Sequence, residues 1–127
     1  MARRKSKILT EVETEIMQIL WEKKRASVQE ICEALQSKQA YTTIATMLRV
    51  LENKKYVSYI VDGRTYIYSP LREKKKEQSN VLKYITQRFF EGSAKSLLLH
   101  LVQGDNLSKE QLKELRDLID SKEKESE

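Results

Sequence analysis

The stretch Ala40-Tyr-Thr-Thr-Ile-Ala-Thr-Met-Leu-Arg-Val-Leu-Glu-Asn-Lys-Lys55 decides how the rest of the chain is read, because its two faces ask for different surroundings. Ile44, Met47, Leu48 and Leu51 recur at helical spacing and can bury together against a core. The other face carries Thr42, Thr43, Ala45, Thr46 and Arg49, small and mostly uncharged, where a solvated helix usually carries Glu and Lys. Short hydroxyl side chains permit close approach to base edges and phosphates, and Arg49 adds positive charge. A Thr-rich face is also compatible with an ordinary helix surface, so the flanking segments decide.

Upstream, Ser27-Val-Gln-Glu30 is a capping box, and Ala26 before it can staple onto Ile31. Val28, Ile31, Cys32 and Leu35 form an apolar stripe, in which Cys32 reads as a small buried hydrophobe. Further upstream, a second capping box, Thr10-Glu-Val-Glu13, opens a helix with Val12, Ile16, Ile19 and Leu20 on one face and Trp21, a core residue, at its end. With a loop over 36–39, this predicts a helix-turn-helix behind one support helix. Downstream, Tyr56-Val-Ser-Tyr-Ile-Val61 and Thr65-Tyr-Ile-Tyr-Ser69 are β-branched and aromatic, and Asp62-Gly63 between them signals a two-residue turn. Three helices and a hairpin are the winged helix-turn-helix plan. Arg64 then sits at the wing tip, within reach of a backbone or minor groove. The alternating tyrosines Tyr59, Tyr66 and Tyr68 suit either stacking on single-stranded bases or covering a small core.

Pro70 closes this first unit, which spans 9–70. Arg72-Glu-Lys-Lys-Lys-Glu77 then starts a helix of roughly 20 residues, with Val81, Leu82, Ile85 and Phe89 in register, Tyr84 and Phe90 beside them, and Gly92 ending it. A shorter helix over 94–103 carries Ala94, Leu97, Leu98 and Leu101. A third capping box, Ser108-Lys-Glu-Gln111, opens a last helix with Leu112, Leu115, Leu118 and Ile119, expected to fray over 122–127. The segment 71–121 therefore has three apolar stripes but too little mass to hold a core alone. A second copy of the chain is the economical partner, through Leu82, Ile85, Phe89, Leu97, Leu101, Leu112, Leu115 and Ile119. The competing arrangement folds these helices back on the winged unit as a compact monomer. The fold class is thus mostly α with a small β wing: a winged helix-turn-helix domain followed by a three-helix dimerisation domain.

Composition narrows the function. A chain of 127 residues, 34% charged with one Pro and three Gly, reads as helical and soluble. No apolar run approaches the roughly 18 residues that span a bilayer, and the basic start Met-Ala-Arg-Arg-Lys-Ser-Lys lacks an apolar segment after it, so a cytoplasmic protein without membrane insertion is expected. The lone Cys32 allows no internal disulfide. Net charge is +5, and residues 1–70 hold 12 Lys and Arg against 8 Asp and Glu, net +4, while 71–127 hold 12 against 11, net +1. The basic excess lies with the winged half, which suits duplex DNA as partner. Arg3, Arg4, Lys5 and Lys7 make 1–8 a flexible basic arm that either touches phosphates or is simply solvated. An enzyme is disfavoured: one His and one Cys, with no Gly-rich phosphate loop and no paired-histidine motif, leave a nucleophile or base hard to assemble. No metal or cofactor is expected.

Four fragments together resemble the penicillinase-repressor family, the BlaI/MecI type with its copper-responsive CopY relatives. They are Leu9-Thr10 with Glu15-Ile16-Met17 and Leu20-Trp21; Ala40-Tyr41-Thr42-Thr43-Ile44 running to Leu48 and Leu51; Gly63-Arg64 with Tyr66, Tyr68 and Pro70; and Leu107-Ser108 with Glu114-Leu115. The resemblance implies a dimeric repressor on an operator dyad, with base contact at Thr43 and Thr46 and Thr42 beside them. Phosphate contact at Tyr41 and Arg49 and wing contact at Arg64 rest more on the geometry expected of the fold. The antibiotic-responsive members are relieved by a membrane sensor peptidase that cuts an Asn-Phe pair, which falls here at His100-Leu101, a departure that puts the same inducer in doubt. The copper-responsive branch uses C-terminal cysteines, and this chain has none there. Lys55 stands where many relatives have glycine; it either takes a left-handed conformation at a cost of about 1 kcal/mol or extends the helix and offers a phosphate contact. A protein-interaction adaptor built on the same fold remains the alternative.

Overall fold

The structure, a computed structural model, describes residues 8–126, so the expected basic arm lies, except for Ile8, outside the described residues. Three of its helices start with a full capping box, in which side chains satisfy free N–H groups of the first turn. Thr10 opens α1 (Glu11–Lys23), Ser27 opens α2 (Val28–Ala34) and Ser108 opens α6 (Lys109–Glu125), each with its reciprocal Glu or Gln three residues on. Between α1 and α2 lies a short strand, β1 (Ala26–Ser27). The remaining elements are α3 (Tyr41–Asn53), β2 (Val57–Asp62), β3 (Thr65–Pro70), α4 (Lys74–Phe89) and α5 (Ala94–Gln103).

β1 is a correction to the two-stranded hairpin. The antiparallel sheet runs β1-β3-β2, with Ala26 opposite Tyr68 and Ser27 opposite Ile67. A two-residue strand has no alternation to reveal it, and Ser27 serves both the strand and the cap of α2. The turn also shifts by one position: Asp62 pairs with Thr65, so Gly63 and Arg64 form the loop. Gly63 takes φ 66° and Arg64 does not take positive φ, the pattern of a type II′ turn, which wants glycine first.

The core lies wholly within the first compact unit, which runs through Val81. Ile16, Met17 and Leu20 of α1, Ile31 of α2, and Ile44, Leu48 and Leu51 of α3 are fully buried together with Val57. Met47, expected inside with them, is only half-buried against this cluster. Cys32 is likewise half-buried, and burial, then Glu33, push its thiol up, which disfavours the reactive thiolate. The first turns of α4 are held to this first unit by Arg72, whose Nη1 lies 3.3 Å from Glu77.

The second unit, from Leu82, contains the end of α4, then α5 and α6, and among its described residues no side chain is buried. Glu91 and Gly92 take left-handed conformations that let the Phe90 and Gly92 N–H groups share the Thr86 carbonyl, closing α4. Phe90 meets His100 edge-on at 5.3 Å. α6 runs to Glu125, where Lys122 Nζ lies 3.7 Å from the Glu125 carboxylate and Ser126 Oγ donates to the Lys122 carbonyl.

Two features of the first unit are testable. Burial pushes Glu13 up, but bonds with the Thr10 backbone and hydroxyl and the Lys54 charge outweigh it and hold the carboxyl below the usual carboxylate range. A lowered folded value gives stability that is complete above the unfolded value and vanishes as pH falls through the folded one. Glu13→Gln, which keeps the capping box, is therefore expected to unfold at lower temperature than the native chain at about pH 7, and the gap in circular-dichroism melts should close towards about pH 3. Lys55 takes φ 65°, so it ends α3 instead of extending it. Lys55→Gly should release about 1–2 kcal/mol of left-handed strain against about 0.5–1 kcal/mol of added backbone freedom. Urea titration should show a small net gain, and a loss would contradict the strain.

Candidate nucleic-acid interface

Burying Ile44, Leu48 and Leu51 turns the opposite side of α3 outward. Tyr41, Thr42, Thr46 and Arg49 are exposed there, while Thr43 and Ala45 are half-buried at its edge. Ala40, the N-cap of α3, makes no side-chain cap bond, in contrast to the caps of α1, α2 and α6. The N–H groups of the first turn are thus left for outside acceptors. The hydroxyl of Thr46 donates to the Thr42 carbonyl at 2.9 Å. Towards a partner Thr46 therefore presents lone pairs and a methyl, which suit an exocyclic amine or a thymine methyl.

Beside this face, α3 and the wing enclose an open cleft of about 650 Å³, lined among others by Tyr41, Arg49, Glu52, Tyr59, Arg64 and Tyr66. The structure thus brings together three residues expected from sequence to contact backbone, Tyr41, Arg49 and Arg64. Thr42, Thr43 and Thr46 lie outside the cleft lining, on the same helix. Lys55 is not among the lining residues either; it follows the far end of α3, where its carbonyl accepts a 3.4 Å bond from Arg72 Nε.

The tyrosines of the wing engage one another. Tyr59 stacks on Tyr66 at 4.8 Å with the rings 5° from parallel, and Tyr68 tilts against Tyr59 at 5.6 Å. Of the three, only Tyr68 is buried in the core, its hydroxyl pushed up by burial and then by Glu52, while Tyr59 and Tyr66 stay exposed along the cleft. Sequence reasoning missed Gln29 and Glu52 as cleft residues. Gln29 carries no signal, since periodicity does not reveal which turn of α2 faces the wing. Glu52 was visible as a single acid on a nearly acid-free helix. It places a negative charge beside Arg49 and Arg64, so the cleft is mixed in sign, with one carboxylate and two guanidinium groups.

Among the described residues no group of three or more His, Cys, Asp or Glu is placed to hold a metal ion, and no helix is long and apolar enough to cross a membrane. Burial aside, what this surface offers is hydroxyl groups, guanidinium groups and free helix N–H groups.

Comparison with known proteins points the same way. The methicillin resistance regulatory protein MecI of Staphylococcus aureus (strain N315) is 28% identical over 116 residues, 90% of this chain and 94% of that protein. The penicillinase repressor of Bacillus licheniformis is 25% identical over 114 residues, 88% of this chain and 89% of its own. The solution structure of the DNA-binding domain of the repressor BlaI matches with a TM-score of 0.50 and 26% identity, covering 57% of this chain and 90% of that domain. The complex structure of hsRosR-S4, at 15% identity and a TM-score of 0.54, covers 94% of this chain and 93% of its own, and shares the fold. The model of the penicillinase repressor family matches residues 9–121, and the chain belongs to that family, one of transcriptional repressors and not of enzymes.

Proposed function

We propose that the protein is a homodimeric repressor that binds a pseudo-palindromic operator and blocks transcription there. The observation that carries this reading is the outward face of α3, where Tyr41, Thr42, Thr46 and Arg49 lie beside a cleft that continues to Arg64 on the wing. In this reading α3 enters the major groove, Thr42, Thr43 and Thr46 meet base edges, and Tyr41, Arg49 and Arg64 hold phosphates. Lys55 serves as a peripheral phosphate contact at the far end of the helix.

The second unit supplies the dimer. Leu82 is 53% exposed, Phe89 73% and Leu118 64%, and Leu101 and Ile119 are also exposed, while Ile85, Leu97, Leu112 and Leu115 are half-buried. A single chain leaves this surface wet, whereas a two-fold partner covers it and spaces two copies of α3 for two half-sites. Release of the operator by a membrane sensor peptidase fits the same unit. His100 and Leu101 are exposed in the last turns of α5, so a cut between them requires that end of the helix to open first.

Mobility-shift titration on the chain's own promoter tests the reading. Thr43→Ala with Thr46→Ala should reduce the preference for that promoter over scrambled duplex by about 1–2 kcal/mol. Arg64→Ala should weaken binding to every duplex alike and lower the salt slope by about one. Equal binding of native and scrambled promoter by the unaltered chain would discard sequence-specific repression and leave the adaptor role. Separately, Phe89→Glu should shift sedimentation velocity from dimer towards monomer at micromolar concentration while helix content persists. An unaltered dimer would remove Phe89 from the interface.

A further inference from the structure

Tyr41, Ala45, Arg49 and Glu52 recur at helical spacing along the flank of α3 that lines the cleft, and Arg64 on the wing lines it too. At about 1.5 Å per residue, Arg49 stands roughly 12 Å along the helix from Tyr41, and Glu52 roughly one turn beyond Arg49. The flank therefore offers phosphate donors at Tyr41 and Arg49 and then a carboxylate. Glu52 stands in the last turn of α3, which holds no basic residue. Free carbonyl groups give that end of a helix a negative partial charge, so an acid is unfavourable there. Among the described residues the Glu52 carboxylate makes no ion pair and no hydrogen bond, whereas Glu13 and Glu77, the buried acids of the same unit, each have a cationic partner. The Glu52 charge is nonetheless felt within the cleft: burial, then Glu52, push the Tyr68 hydroxyl up, and Arg49 pulls it down. An acid that costs its own helix and pairs with nothing in the fold acts on what enters the cleft.

We infer that Glu52 is a specificity-determining residue that works by exclusion: its carboxylate repels any phosphate that moves past Arg49 towards the end of α3. The inference rests on the operator-binding reading above. A duplex whose bases match the threonine face is held in one register, with its phosphates at Tyr41, Arg49 and Arg64. An unmatched duplex lacks that hold and slides along the cleft, so a larger share of its bound positions bring a phosphate to Glu52. Discrimination gained by penalising the wrong partner adds to that gained by contacts with the right one.

The test measures mobility shifts of the full chain on promoter and scrambled duplex, for the native protein, Glu52→Gln and Glu52→Asp. Glu52→Gln is expected to tighten binding to scrambled duplex by about threefold to tenfold at about 50 mM salt, and to the promoter by less than half that factor, so the preference falls. The gain on scrambled duplex should shrink towards about 200 mM salt, as screening removes the repulsion. Glu52→Asp keeps the charge and should stay close to the native preference. The melting temperature of Glu52→Gln should hold or rise, since an acid leaves the negative end of α3. A gain on the promoter equal to or larger than that on scrambled duplex, or no gain on either, overturns the inference. Weaker binding to both with a lower melting temperature assigns Glu52 to the fold and overturns it as well. A native chain that binds both duplexes equally overturns the operator reading itself, and the inference with it, which separates the two failures.

Discussion

Thirteen residues of α3 have to serve a core and an outer surface at once, and the burial of Ile44, Leu48 and Leu51 settles which side goes where. Each removes apolar area worth about 1.5–3 kcal/mol from water, so rotating the helix about its axis would forfeit several kcal/mol. The outer face is consequently held in one orientation without any polar bond of its own to the protein core. This lets its side chains be chosen for a partner: Thr42, Thr46 and Arg49 contribute nothing to the core and are free of that constraint. The wing and α1 matter chiefly because they complete the apolar surroundings of those three residues.

Much of this was legible before any coordinates. The capping boxes at Thr10, Ser27 and Ser108 mark their helices because reciprocal side-chain bonds are local in sequence. The inner stripe of α3 follows from its period, and the second unit's lack of mass follows from length. What escaped reading is non-local. β1 exists only because Tyr68 and Ile67 arrive beside Ala26 and Ser27, and nothing in two residues foretells that. Arg72 reads as one more charge in a helix-forming run until the Lys54 and Lys55 carbonyls are seen beside it. The candidate site divides likewise: Tyr41, Arg49 and Arg64 were nameable from their element positions, whereas Gln29 and Glu52 join the cleft through tertiary packing. The one-position error at the wing tip has a backbone cause, since Asp62-Gly63 and Gly63-Arg64 are both acceptable turns and pairing of Asp62 with Thr65 selects the second.

The two units are stabilised by unlike means. The first has a closed apolar cluster and two partly sheltered ion pairs, Lys54 with Glu13 and Arg72 with Glu77. The second is held by helix caps and by half-buried leucines, with its apolar side chains largely wet. Its stability is therefore the part of the molecule most dependent on what covers it, and hence on protein concentration if the cover is a second copy.

The pairing of β1 with β3 also sets an order of events during synthesis. Ala26 cannot find its partner until Tyr68 has been made, and Trp21 cannot find the Arg72 carbonyl until a little later. Chains emerge N-terminus first, so the sheet and its core can close while α5 and α6 are still within the ribosome. The face of α3 is then already oriented on a nascent chain whose second unit has yet to fold. The folding of the first unit therefore need not wait for the second.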